Sequence, residues 1–109
     1  MKILFANKKI RELCEQQRKA QQQLGNDCAR KLRARLSDIE SATTVTDLVA
    51  GRPHPLKGER YGQFALDLAG GYRLVFCPAN DPRPTTVDGS INWAQVSIVC
   101  IEFIGDYHD

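Results

Sequence analysis

A chain of 109 residues, 42% hydrophobic and 26% charged, has material for one hydrophobic core and not for two, so residues 1–109 are read as a single domain. No apolar run approaches the roughly 18 residues of a membrane helix. The opening Met1-Lys2-Ile3-Leu4-Phe5-Ala6 also yields to Asn7-Lys8-Lys9 before reaching the ~7–15 residues of a signal-peptide core, which predicts a cytoplasmic protein without membrane contact. The net charge of +2 is no argument for a nucleic-acid partner, but its distribution is uneven. Residues 1–40 hold ten Lys and Arg against five Asp and Glu, whereas residues 79–109 hold one against five. Such asymmetry sets opposite potentials on different faces and can steer an anion, although charges on helices also serve simply to solvate them.

The first six residues read as a short strand. Over residues 7–24, Ile10, Leu13, Cys14, Gln17, Ala20 and Leu24 recur at helical spacing and predict one helix, ended by Gly25-Asn26. Asn26 or Asp27 can cap a second helix, whose apolar stripe is Ala29, Leu32, Leu36 and Ile39, with Arg30, Lys31, Arg33 and Arg35 around it. The two make an antiparallel helical hairpin, and residues 46–51 add one short turn.

Beyond Arg60 the hydrophobic period changes from 3.6 to 2. Phe64, Leu66 and Leu68 alternate with Gln63, Ala65 and Asp67. After Ala69-Gly70-Gly71, Tyr72, Leu74 and Phe76 alternate with Arg73, Val75 and Cys77. Only an odd-length loop puts both apolar sets on one face, because a slip of one residue inverts a strand. That parity predicts Asp67 directly opposite Arg73 on the other face. Residues 78–95, with three prolines and an Asp-Gly, form a long polar connection. Val96 to Ile104 is apolar on both faces apart from Ser97 and Glu102, as a central strand is. The order is β-α-α-β-β-β: an α+β fold with a two-helix hairpin on one face of a small, mainly antiparallel sheet and the opposite face left open.

The four cysteines, Cys14, Cys28, Cys77 and Cys100, form no C-x-x-C pair and have no histidine at ligand spacing, so they read as small packed hydrophobes and not as a metal site. The chain has only two histidines. His54 lies in the proline-locked run Arg52-Pro53-His54-Pro55-Leu56-Lys57-Gly58. His108 lies in Gly105-Asp106-Tyr107-His108-Asp109, just past the last strand. An ordinary pKa of about 6.5 lets histidine exchange protons near neutrality. Two of them near basic residues point to acid–base chemistry on an anionic substrate, with Arg52, Lys57 and Arg60 as candidate substrate-binding groups.

Three segments in this order, Gly51-Arg52-Pro53-His54-Pro55-Leu56-Lys57-Gly58, Gly71-Tyr72-Arg73-Leu74-Val75-Phe76 and Asp106-Tyr107-His108, resemble those of the RelE/ParE superfamily, and within it the HigB-type toxins of plasmid-maintenance systems. The resemblance implies a ribosome-dependent mRNA endonuclease that uses no metal or other cofactor. It also implies a HigA-like helix-turn-helix antitoxin as partner, along with the ribosome and mRNA, and a toxin that is a monomer when free. It places His54, Asp106, Tyr107 and His108 on the catalytic positions and Arg73 on the strand arginine that meets the scissile phosphate. Two features depart from the family pattern: the low net charge, and the length of the 78–95 connection.

Metal-free RNA cleavage by the 2′-hydroxyl needs a base, an acid for the leaving 5′-oxygen, and cations for the phosphorane. His108 or Tyr107 can serve as base with His54 as acid, or the roles can be reversed. Asp106 can orient an imidazole, while Arg73 and Lys57 can hold the phosphate. Arg73 has a structural alternative in its cross-strand pair with Asp67, and Trp93 can either stack on a base or cap the core. Two other functions fit the same fold: a ParE-like inhibitor of DNA gyrase, and a protein-binding module without chemistry. The histidines favour the endonuclease, because gyrase inhibition needs no proton-transfer groups.

Overall fold

The sheet is built around its last strand, β5 (Ile98–Gly105), as the two-sided apolarity of that segment predicts. The strand β1 (Lys2–Phe5) lies parallel to it on one side, with Lys2 opposite Ile98 and Phe5 opposite Ile101. On the other side β4 (Arg73–Pro78) runs antiparallel, followed by β3 (Phe64–Asp67) and a two-residue edge strand β2 (His54–Pro55), in the order β1-β5-β4-β3-β2. The computed structural model describes residues 1–107. The candidate His108 lies outside the described residues.

The β3–β4 hairpin has the register that parity requires: Phe64 opposite Phe76, Leu66 opposite Leu74 and Asp67 opposite Arg73. The Leu68 amide donates to the Tyr72 carbonyl at 2.8 Å, so the loop is the three residues Ala69, Gly70 and Gly71, the two glycines at φ of 64° and 82°. Only glycine takes that region at no steric cost.

The helical layer differs from the sequence expectation in two respects. The first helix is two: α1 (Lys8–Glu15) and α2 (Gln17–Leu24), separated by Gln16 in extended conformation (φ −114°, ψ 102°). The break falls in Glu15-Gln16-Gln17-Arg18-Lys19, five polar residues with no apolar anchor to hold a straight helix on the sheet. Lys19 Nζ crosses the break to Glu12 at 2.7 Å. Asn7 caps α1 by accepting from the Ile10 amide at 2.9 Å. The long helix α3 (Asn26–Ser41) has Gly25 at its N-cap, not Asn26 or Asp27, and Asp27 sits in its first turn, where the helix dipole favours an anion.

The core forms where α3 meets the helix-side face of the sheet. Leu32, Leu36 and Ile39 of α3 pack with Leu66, Leu74, Phe76, Val99 and Ile101, all buried. The 78–95 connection is tied down at both ends. Asn80 accepts from the Ser97 and Ile98 amides, Ile91 is buried, and Trp93 packs on Phe64 with ring centroids 4.9 Å apart. Trp93 therefore caps the core edge. No helix among the described residues is long and apolar enough to cross a membrane.

Phe76 has no exposed surface and stacks on Phe64 at 5.4 Å. Phe76→Ala should lower unfolding stability by about 3–5 kcal/mol in urea titration. Val87→Ala, at an exposed loop position, should stay within about 0.5 kcal/mol of the parent.

Candidate active site

Register decides what the other sheet face presents. His54 pairs with Ala65, Ala65 with Val75, and Val75 with Phe103, so these four side chains form one row across β2, β3, β4 and β5. The adjacent row is Asp67, Arg73 and Gly105. Between Val75 and Phe76 the β4–β5 register slips by one, leaving Glu102 as the unpaired extra residue of a bulge. Ile101 and Ile104 thereby both stay on the helix side, while Glu102 and Phe103 both belong to the other face.

That face is not left open, as the element order alone suggests. Leu56, Phe103 and Tyr107 cover Ala65 and Val75, which are fully buried. The Phe103 ring also lies across Gly105, whose Cβ, if present, would stand 2.8 Å from Phe103 Cζ.

The segment carrying His54 is pressed onto β3. The Asp67 amide donates to the Gly51 carbonyl at 2.6 Å. A Cβ on Gly51 would stand 3.0 Å from Arg35 Cδ and 3.2 Å from the Asp67 carbonyl oxygen, and its φ is 84°. Arg52 follows at φ 48°, a left-handed conformation that costs a non-glycine residue on the order of 1 kcal/mol. The resulting turn brings His54 Nδ1 to 2.7 Å from the Arg52 carbonyl oxygen. A carbonyl can only accept, so Nδ1 carries the proton and Nε2 is the atom left to gain or lose one.

Beside it, Asp67 joins two arginines. Arg52 Nε donates to Oδ2 at 2.9 Å. Arg73 Nε approaches Oδ1 at 2.8 Å as an ion pair without hydrogen-bond alignment. Arg73 Nη1 donates to the Gly71 carbonyl at 2.6 Å. The structural role foreseen for Arg73 is therefore real. With Arg52 two-thirds exposed, such pairs stabilise the fold by at most about 1 kcal/mol each. Their larger effect is to hold two guanidinium groups on one patch of surface.

Arg60 and Tyr107 complete the cluster. The Arg60 guanidinium lies 4.3 Å from the Tyr107 ring centroid and 5.3 Å from that of Phe103, and Arg73 lies 5.9 Å from Tyr107 on its own side. Tyr107 meets Phe103 edge-on at 6.1 Å. The structure thus brings together His54, Arg52, Arg60, Arg73 and Tyr107. Asp106 lies instead beside the β3–β4 turn, its carboxylate 3.5 Å from the point a Gly71 Cβ would occupy, and among the described residues no hydrogen bond joins it to His54. Lys57 is exposed ahead of the short turn Gly58–Arg60, with no side-chain partner among the described residues. Sequence reasoning missed Leu56 and Phe103 as the apolar floor and Asp67 as a bridge to Arg52, a contact spanning fifteen residues that no local pattern encodes.

Protein-family models and curated protein sequences give no match to this chain. Solved structures do. A YoeB/ParE toxin from Agrobacterium tumefaciens superposes with a TM-score of 0.63 at 12% identity, over 99% of this chain and 100% of that one. A YoeB–YefM complex and a YoeB dimer, both from Staphylococcus aureus, each give 0.60 at 18% identity, over 100% of this chain and 98% of theirs. The chain has the fold of the YoeB/ParE toxins. At such identities the likeness concerns fold alone.

All four cysteines are free thiols. Cys77 and Cys100 face each other across β4 and β5, next to Glu102. Burial, with Glu102 adding to it, pushes the Cys77 thiol up to about 12, and burial raises Cys14 to about 12 as well. At pH 8 both stay protonated, so alkylation by iodoacetamide should run on the order of 100-fold slower in the folded protein than in urea. Labelling of Cys77 at equal rates in both states would contradict the buried environment assigned to it.

Proposed function

We propose that this chain is the toxin of a type II toxin–antitoxin pair, a HigB-type, ribosome-dependent mRNA endonuclease that arrests translation and growth. The observation that carries the reading is the His54 ring, locked through Nδ1 onto the Arg52 carbonyl at 2.7 Å and so presenting Nε2 as a proton-transfer atom. Arg52, Arg73 and Arg60 share its surface. The fold shared with YoeB/ParE toxins supports it from a separate direction.

The chemistry follows from these groups. A base takes the proton of the 2′-hydroxyl. The 2′-oxygen then bonds to phosphorus as the bond to the 5′-oxygen breaks, leaving a 2′,3′-cyclic phosphate and a 5′-hydroxyl. An acid protonates the departing oxygen. His54 Nε2 can take either proton role, with Tyr107 or His108 in the other. Arg73 and Arg52 carry fixed positive charge, which stabilises the phosphorane most when it is already in place. The ribosome supplies the in-line geometry of the strand. Asp106, placed beside the Gly71 turn, would act on His108 and not on His54.

The Staphylococcus aureus YoeB was solved bound to YefM. By that analogy we assign this chain an antitoxin partner; a HigA-like helix-turn-helix identity for it and a monomeric free toxin rest on the sequence resemblance alone, since the Staphylococcus aureus YoeB was also solved as a dimer.

The decisive experiment is primer extension on an mRNA under translation, with and without ribosomes. Wild type should cut only when ribosomes are present. His54→Ala should cut at least about 100-fold more slowly, the usual contribution of a positioned acid or base, and His108→Ala should be similarly impaired while both still bind the antitoxin. Growth arrest without any cut would instead support the gyrase-inhibitor reading. Binding of the antitoxin with neither cuts nor arrest would support a binding module.

A further inference from the structure

The 78–95 connection brings a cation to a second groove on the same face. This groove is lined by Glu59, Arg60, Tyr61, Gln63, Arg83 and Glu102, among others. Its walls come from three places: the turn after β2, the bulge of β5, and the long connection. The connection lies against the turn at Gly62, whose φ of 98° favours glycine. A Cβ there would stand 3.9 Å from Arg83 Nη1 and 4.0 Å from Ile91 Cδ1. Ile91 is buried and so anchors the segment that carries Arg83.

Arg60 belongs both to the cluster around Tyr107 and to this groove. Its guanidinium covers Tyr107 at 4.3 Å, while its Nη1 donates to Gln63 Oε1 at 3.3 Å. Gln63 Nε2 in turn donates to Glu102 Oε1 at 3.0 Å. Those two bonds fix the amide orientation and hold the carboxylate in place. Glu102, an acceptor when ionised, is exposed. Tyr61 leaves 61% of its surface exposed, more than any other described aromatic residue. Arg83 is exposed and makes no hydrogen bond or ion pair with any described residue.

We propose that this groove is a nucleotide subsite, holding the nucleotide next to the scissile phosphate, and that it takes a base bearing an exocyclic amino group. The inference rests on the endonuclease reading and deepens it. An exposed aromatic ring is a stacking platform for a base. A guanidinium at each end, Arg60 and Arg83, matches the phosphates on either side of one nucleotide. Between them stands a fixed carboxylate, which accepts from an amino group and repels a carbonyl. Cytosine, adenine and guanine each offer that amino group. Uracil presents a carbonyl in its place. The groove thereby gives the 78–95 connection a task in substrate selection.

The test has two arms. In the first, wild type, Arg83→Ala, Tyr61→Ala, Glu102→Gln and His54→Ala act on mRNAs under translation whose target codon is varied one base at a time. Arg83→Ala and Tyr61→Ala should raise KM about 10-fold and change kcat by less than about 2-fold, as loss of stacking and phosphate contacts would. Glu102→Gln should reduce the preference for amino-bearing bases over uracil at one codon position by about 10-fold. In the second arm, fluorescence anisotropy follows binding of a short single-stranded RNA, blocked at the 2′-position against cleavage, to the protein without ribosomes.

Arg83→Ala, Tyr61→Ala and Glu102→Gln that cleave, select and bind as wild type does, beside an inactive His54→Ala, would overturn the subsite and leave the endonuclease standing. A wild type that cuts nothing yet binds RNA through Tyr61 and Arg83 would uphold the subsite and overturn the endonuclease. A wild type that neither cuts nor binds RNA overturns both. Tyr61, Arg83 and Glu102 are exposed, and circular dichroism checks that each variant is folded.

Discussion

One extra residue in β5 organises both faces of the sheet. Without the bulge at Glu102, strict alternation from Ile101 would send Phe103 to the helix side and Ile104 to the other. The bulge instead keeps Ile101 and Ile104 on the helix side, where Leu74 and Phe76 are their partners on β4. It turns Glu102 and Phe103 toward the opposite face. Phe103 becomes the floor on which Tyr107 and Arg60 rest, and Glu102 becomes the acceptor of the second groove. Bulges commonly re-aim side chains near functional sites. Here a single one serves the core, the candidate active site and the neighbouring groove.

The electrostatics of the face are local and do not follow the net charge of the chain. Arg52, Arg60 and Arg73 gather around His54 and Tyr107, with Asp67 as the carboxylate that bridges two of them. Each ion pair contributes little to stability at such exposure. What they achieve is organisation: a cation already fixed in position stabilises developing negative charge without reorganising during the reaction. Arg35 of α3 does reach the Gly51 turn, but it pairs with Asp38, and Arg52, Arg60 and Arg73 all lie outside the basic stretch of residues 1–40, so the charge asymmetry along the sequence is not what makes this site cationic.

The legible parts of the molecule were those set by period and parity. An odd loop at Ala69-Gly70-Gly71 was enough to place Asp67 opposite Arg73, because a strand's side chains alternate with a period of two and admit no intermediate register. The apolar stripe of α3 and the two-sided apolarity of β5 were legible for the same reason. The break at Gln16 was not, because Leu13 and Ala20 stand seven residues apart and fit an unbroken helix as well as a broken one. The edge strand β2 was hidden by Pro55 within it and Pro53 just before it, and a proline is tolerated there because an edge strand leaves one side of its backbone unpaired.

By itself, then, the sequence determined most of the helical and extended segments, the helix-side core and the Asp67–Arg73 register. All of these follow from spacings of a few residues. It also marked His54, Arg73 and Tyr107 as candidates. Only the tertiary structure decided that Leu56, Phe103 and Tyr107 would close over the second face, that Asp67 would reach Arg52, and that His54 would donate a hydrogen bond from Nδ1 to the Arg52 carbonyl, leaving Nε2 as the other ring nitrogen. Those outcomes depend on where separate segments meet and on how a left-handed turn aims one ring, and no local periodicity carries that information.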